Sequence, residues 1–132
     1  MDNLKISIPG KPEYLTMVRL AATSIASMAG FDIEAAEDIK TAVSEACKNV
    51  ACHGSSGFST KYEIECNVDK GSIEIIVRDD CDCHTLEKTC KPCLNCPQEG
   101  DLGIIVIKTL MDDVEFGRDD SGHKFVKMGK KL

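Results

Sequence analysis

The chain has 132 residues, a formal net charge of -6 and eight cysteines. That length supports one hydrophobic core and is too short for two ordinary domains, so a single domain over 1–132 is expected. The acidic balance with interspersed signs argues against a face that neutralises nucleic-acid phosphates and leaves a protein partner or a small ligand. No apolar run reaches the roughly 20 residues of a membrane helix, and the start "MDNLKISIPG" has neither a basic n-region nor an apolar h-region. The chain therefore reads as cytoplasmic. Thiols stay reduced there, so the cysteines point to metal, redox sensing or plain thiols ahead of a disulfide framework.

In chain order, "LKISI" alternates as a short strand, and Gly10 with Pro12 announces a turn and a helix start. From Glu13 to Ala29 the residues Leu15, Val18, Ala22, Ile25 and Ala29 recur at helical spacing, and Gly30 is a natural C-cap. Asp32 caps a second helix with Glu34 in its first turn, and Ala36, Ile39, Val43, Cys47 and Val50 form its apolar stripe up to Gly54. Tyr62, Ile64, Cys66 and Val68 then alternate, "DKG" turns, and Ile73, Ile75 and Val77 alternate again, which predicts a hairpin. After a cysteine-rich stretch comes "LGIIVIKTLM". Its β-branched centre suits a strand, but its span to Met111 favours a helix. "DVEFG", the turn "DDSG" and "HKFVKM" close the chain as strands. The expected fold is an α+β two-layer sandwich: a mostly antiparallel, mostly sequential sheet with helices packed on one face.

Glu45 and Asn49 stand four residues apart, hence on one side of the second helix and away from its apolar stripe. A carboxamide oxygen can hold a hard cation, and a carboxylate can take a proton from a nucleophile. By itself Glu-x-x-x-Asn is also what an ordinary solvated helix face shows.

The stretch "PEYLTMVRLAATSIASMAGFDIEAAEDIKTAVSEACKNVACHG", followed by "IEIIVRDD" and "GDLGIIVIKTLMDDVEF", resembles the anti-sigma-factor serine kinases of the GHKL ATPase superfamily, whose fold is the Bergerat ATP-binding sandwich. The resemblance covers almost the whole chain in the family's order. It implies ATP and Mg2+ as cofactors, with Asn49 on Mg2+, Glu45 as the general base toward a protein serine, and Asp79 accepting from the adenine amino group. It also implies that Gly100 and Gly103 let backbone N–H groups reach the phosphates at the start of the third helix. Arg19 matches an arginine placed at the family's partner-binding surface, and His53 matches a histidine after the N-box that reads as structural. The function so implied is that of an anti-sigma factor and serine-protein kinase. It would phosphorylate a small anti-anti-sigma protein, sequester a sigma factor, and act as a homodimer. Two alternatives stand beside it: a nucleotide-gated binding module without catalysis, and a metal or redox sensor on the same fold.

Three positions depart from the family's pattern. Cys81 replaces the glycine of Asp-x-Gly, Asp101 stands where a second glycine is common, and His123 follows Gly122 where a threonine is expected. Each touches the nucleotide pocket, so weaker ATP binding than in relatives is the expectation. The segment at about 80–99 corresponds to the ATP lid. There Cys90, Cys93 and Cys96 repeat the first three positions of a bacterial ferredoxin run, with Cys81 or Cys83 as a fourth ligand to an iron-sulfur cluster. Zinc through two of these with Cys81, Cys83 or His84 fits the residues equally, and loose thiols or a reversible disulfide is the plain alternative.

Overall fold

A computed structural model describes residues 1–9, 12–50, 61–79, 102–120 and 123–132. Their elements run β1 (Asp2–Pro9), a 3-10 turn (Pro12–Tyr14), α1 (Leu15–Met28), α2 (Ile33–Val50), β2 (Lys61–Asp69), β3 (Ser72–Asp79), α3 (Leu102–Leu110), β4 (Asp113–Arg118) and β5 (Lys124–Lys131). The "GIIVI" stretch is helical, as its length favoured.

Local chemistry explains the element ends. The Ala35 N–H donates to Asp32 Oδ1 at 2.8 Å, which is the expected cap of α2. At the end of α1, Gly30 adopts φ +98. Its N–H donates to Ser27 O and that of Phe31 to Ala26 O, the paired bonds of a Schellman motif. Phe31 is buried and completes that motif's hydrophobic contact. Gly71, at φ +82, makes the two-residue turn between β2 and β3, in a left-handed conformation that only glycine adopts without strain.

The five strands form one sheet in the order β1-β2-β3-β5-β4, every neighbouring pair antiparallel. The order is sequential only as far as β3. Helix α3 carries the chain away from β3, and β5 then takes the inner place because Val126 and Met128 are fully buried there, beside Val77 and Ile75. β4 carries Asp113, Glu115 and Arg118, is only half-buried, and suits an edge.

One face of the sheet meets the helices. Its core joins Ile64, Cys66, Ile73, Ile75, Val77, Val126 and Met128 to Val18, Ile25, Ile39, Val43, Ile104 and Ile107. The opposite face carries Glu63, Glu65, Asn67, Glu74, Arg78 and Lys127, laced by contacts such as Arg78 Nη1 to Glu65 Oε1 at 3.2 Å. Such pairs contribute little to stability but keep that face wet.

Helix α2 is buried more widely than its apolar stripe suggests. Ala42, Ser44 and Ala46 are enclosed along with Ala36, Ile39, Val43 and Cys47, because α1 and α3 both pack against α2. Among the described residues of α2, Ile33, Glu34, Glu37, Thr41 and Lys48 are exposed, and Glu45 is half-buried beside Thr41 and Lys48.

Ile75 has 0% exposure on the central strand. Ile75→Ala should therefore lower the unfolding free energy by about 2–5 kcal/mol in urea denaturation, the cost of a buried aliphatic truncation. A loss below about 1 kcal/mol would show that α2 does not pack on this strand as described.

Candidate active site

Backbone pairing sorts the element ends into two groups. β3 ends at Asp79, opposite Tyr62 near the start of β2, and next to the beginning of β5. β1 ends beside Lys61, so α1 starts at this same end. At the other end, the Gly71 N–H donates to Ala29 O, and the Leu132 N–H donates to Gly71 O. Helix α1 therefore runs away from Asp79, and α2 runs back toward it. Helix α3 finishes at the far end, where the Asp112 N–H donates to Gly129 O and Lys130 Nζ donates to Leu110 O. Its N-terminus is thus at the Asp79 end. The last turns of α2, the end of β3 and the first turn of α3 converge.

Glu45 lies in that part of α2 with its side chain 28% exposed and a carboxylate oxygen 3.6 Å from Lys48 Nζ. Asn49 follows one turn later, in the last turn of the helix. Asp79 is the final residue of β3. Gly103 sits half-buried in the first turn of α3, and Leu102 beside it is 76% exposed, so that turn is reachable from outside. The first four N–H groups of a helix have no partner within it, and with the helix dipole they favour an anion. A helix N-terminus at the same end as a partly exposed carboxylate fits a triphosphate with its cation.

Other sequence-derived candidates fall differently. Gly100, Cys81, Cys83, Cys90, Cys93 and Cys96, together with His53, His84 and Asp101, lie outside the described residues. Among the described residues no group of three or more His, Cys, Asp or Glu side chains could hold a metal. His123 is in the turn before β5: its N–H donates to Asp119 Oδ1 at 3.0 Å, and its carbonyl accepts from the Asp119 N–H at 2.9 Å.

Arg19 is a half-buried residue of α1 whose Nε and Nη2 both donate to Ser44 Oγ, at 3.1 and 3.0 Å. Ser44 immediately precedes Glu45, so this fork ties α1 to α2 beside the candidate base. The sequence did not single out Ser44, nor the fully buried Lys124. The signal for the latter was available, since Lys124 shares strand parity with Val126 and Met128.

Two cysteines are described, Cys47 and Cys66, both buried and free. Burial pushes the Cys47 thiol up to about 12, with the Arg19 charge pulling the other way. Burial likewise pushes Cys66 up to about 11, and the Glu65 charge adds to it. Neither forms the thiolate that nucleophilic or metal chemistry needs.

Residues 8–130 match the family profile of the histidine kinase-like ATPase domain. The chain is 37% identical over 130 residues to the serine-protein kinase RsbW of Listeria innocua serovar 6a, an alignment spanning 90% of this chain and 82% of that protein. To the serine-protein kinase RsbW of Bacillus licheniformis it is 35% identical over 130 residues, spanning 92% and 81%. A crystal structure of the SiaB-SiaC complex from Pseudomonas aeruginosa superposes with a TM-score of 0.59 at 9% identity, covering 98% of this chain and 89% of that one. At that identity it speaks for the fold alone.

Alkylation of the folded protein at pH 8 should leave Cys47 and Cys66 unmodified, and both should react in urea, as read by peptide mass mapping. Both pKa values are raised on folding, so the folded state keeps protons that the unfolded chain releases above the ordinary 9.0. Their contribution to stability is complete below pH 9 and is lost as pH rises toward the folded values. Rapid labelling of Cys47 in the native state would contradict the packing of α2.

Proposed function

The chain belongs to the histidine kinase-like ATPase domain family and to its RsbW-type serine-protein kinases, and we propose that it acts as an anti-sigma factor whose kinase activity regulates its own partner. It uses Mg-ATP to phosphorylate a serine of a small anti-anti-sigma protein, and it sequesters a sigma factor when that antagonist is phosphorylated. The observation that carries the reading is the convergence of the last turns of α2, the end of β3 and the N-terminus of α3 at one end of the sandwich.

Each group has a role that its chemistry suits. The Asp79 carboxylate accepts from the adenine amino group and disfavours a base that presents a carbonyl there. Backbone N–H groups from Gly103 onward, with Gly100 before them, receive the phosphates. Asn49 would hold Mg2+ through its amide oxygen, and Mg2+ supplies neutralisation of phosphate charge. Glu45 takes the proton of the substrate serine as its oxygen bonds to the γ-phosphorus and the bond to ADP breaks. Positioning and electrostatics do most of the work in such a transfer.

Arg19 lies on α1 at the same end, where a partner bound to α1 would also be close to Glu45 through Ser44. We place the protein in the cytoplasm as a homodimer. No helix among the described residues is long and apolar enough to cross a membrane.

Glu45→Ala should reduce phosphoryl transfer by roughly 10^2 to 10^4 with little change in nucleotide or partner binding. Labelled ATP with the co-purified antagonist measures the first, and calorimetry the second. Transfer at the wild-type rate would remove Glu45 from the role of base. In the same assay, equal affinity of the wild type for ATP and GTP would remove the adenine role of Asp79.

A further inference from the structure

Helix α2 buries the methyl groups of Ala36, Ala42 and Ala46, and Ser44 is enclosed with them at 9% exposure, in the seam with α1. An alanine would fill that place with a better helix propensity and no hydroxyl to take out of water. What the serine adds is an acceptor. Arg19 Nε and Nη2 both donate to its Oγ, at 3.1 and 3.0 Å.

This fork fixes the guanidinium without neutralising it. Lys40 and Lys48 of α2 each stand beside a carboxylate, that of Glu37 and that of Glu45, whereas Arg19 rests on a neutral hydroxyl. Its charge is felt at the Cys47 thiol, where burial raises the pKa and the guanidinium opposes the rise. Ser44 takes the Nε–Nη2 edge, and a guanidinium has further donors, on Nη1, for a second acceptor. Arg19 is half-buried, so an anion meeting it is screened less than at an open surface. Leu20, the next residue of α1, is 67% exposed and offers apolar surface beside that charge.

We propose that Ser44 is a positioning residue for substrate docking: its hydroxyl holds the Arg19 guanidinium in one orientation, ready to receive a carboxylate of the anti-anti-sigma protein through Nη1. The proposal rests on the partner-binding role given to Arg19 above. A long side chain left free must be ordered as it binds, and the fork completes that ordering before the partner arrives. A lysine at position 19 would offer the charge but not the planar fork. Ser44 directly precedes Glu45 in α2, so an acid clasped by Arg19 would sit close to the serine that Glu45 serves. The partner's docking acid and its phosphorylated serine are thereby read by neighbouring residues of one helical turn.

A double-mutant cycle on the full-length chain tests this, with wild type, Ser44→Ala, Arg19→Ala and the double variant titrated by calorimetry with the purified, unphosphorylated anti-anti-sigma protein, and separately with ATP. Ser44→Ala should weaken the protein partner roughly three- to tenfold and Arg19→Ala roughly ten- to a hundredfold, with ATP affinity within about twofold of wild type throughout. In the Arg19→Ala background, loss of the Ser44 hydroxyl should change partner affinity by less than about twofold. Salt separates orientation from charge. Raising it from about 0.05 to 0.5 M should weaken partner binding by wild type and Ser44→Ala alike, and by Arg19→Ala less. If Arg19→Ala does not fold, Arg19→Lys takes its place in the cycle, with the same small effect of Ser44→Ala expected on top of it. Three outcomes would overturn the positioning role while leaving Arg19 at the partner surface: partner affinity unchanged in Ser44→Ala, additive effects of the two substitutions, or a loss of ATP affinity in Ser44→Ala as large as the loss of partner affinity. Partner binding by wild type that ignores salt would overturn the carboxylate. Wild-type partner affinity in Arg19→Ala would instead refute the partner role of Arg19, and the role of Ser44 with it.

Discussion

Helix α2 lays Ile39, Val43 and Cys47 into the core shared with Ile75, Val77 and Val126 of the sheet, and its neighbours α1 and α3 enclose Ala42, Ser44 and Ala46. With so much of the helix sealed, rotation about its axis would drag Glu34, Glu37 or Glu45 into apolar surroundings, at a cost of several kcal/mol per unpaired charge. The exposed side of α2 is therefore fixed, with half-buried Glu45 and exposed Lys48 near its end. A carboxylate proposed to act as a base gains from that support, because its direction is set by the helix that carries it. The packing of the core thus sets the direction in which the chemistry can point.

Arg19 adds a polar lock to this apolar one. A guanidinium that donates twice to one hydroxyl fixes the approach of α1 to α2 more narrowly than side-chain packing does, and hydrogen bonds to a charged group contribute about 1.5–3 kcal/mol. Its position matters as much as its strength. Ser44 precedes Glu45 in the same helical turn, so any force on Arg19 from outside is felt next to the candidate base. A surface arginine without this fork would report nothing to the site.

Much of this was legible in the amino-acid order. The caps at Gly30 and Asp32, the alternation of β2 and β3, and the helical span ending at Met111 are local signals with local causes, and each appears where it was read. Sheet order was less legible, since the choice between β4 and β5 for the inner place depends on which strand can offer Val126 and Met128 to a core assembled from distant segments. The width of burial on α2 was hidden for a related reason. Alanine and serine carry weak hydropathy, and only the arrival of α1 and α3 turns Ala42, Ser44 and Ala46 into core. Glu45 and Asn49 stood out by spacing, but their meaning came from resemblance to a family, because two polar residues on a helix carry no chemistry until something faces them. Lys124 was overlooked because lysine is read as surface by default, although its strand parity already contradicted that reading.

The two ends of the sandwich divide stability from function. At one end Gly30, Gly71 and Leu132 are stitched together by Ala29 O, Gly71 O and the backbone groups that meet them, with Leu132 Cδ1 3.5 Å from where a β-carbon would stand on either glycine. There the turns are tight, the helices are capped, and little can move without breaking main-chain hydrogen bonds. At the other end lie Glu45, beside Lys48, and the start of α3, whose first N–H groups have no acceptor within the helix. Such groups persist because the far end and the core between hold the elements that carry them. Phosphates suit the N-terminal end of a helix, so a nucleotide bound there would add to the stability that the core and the far end provide.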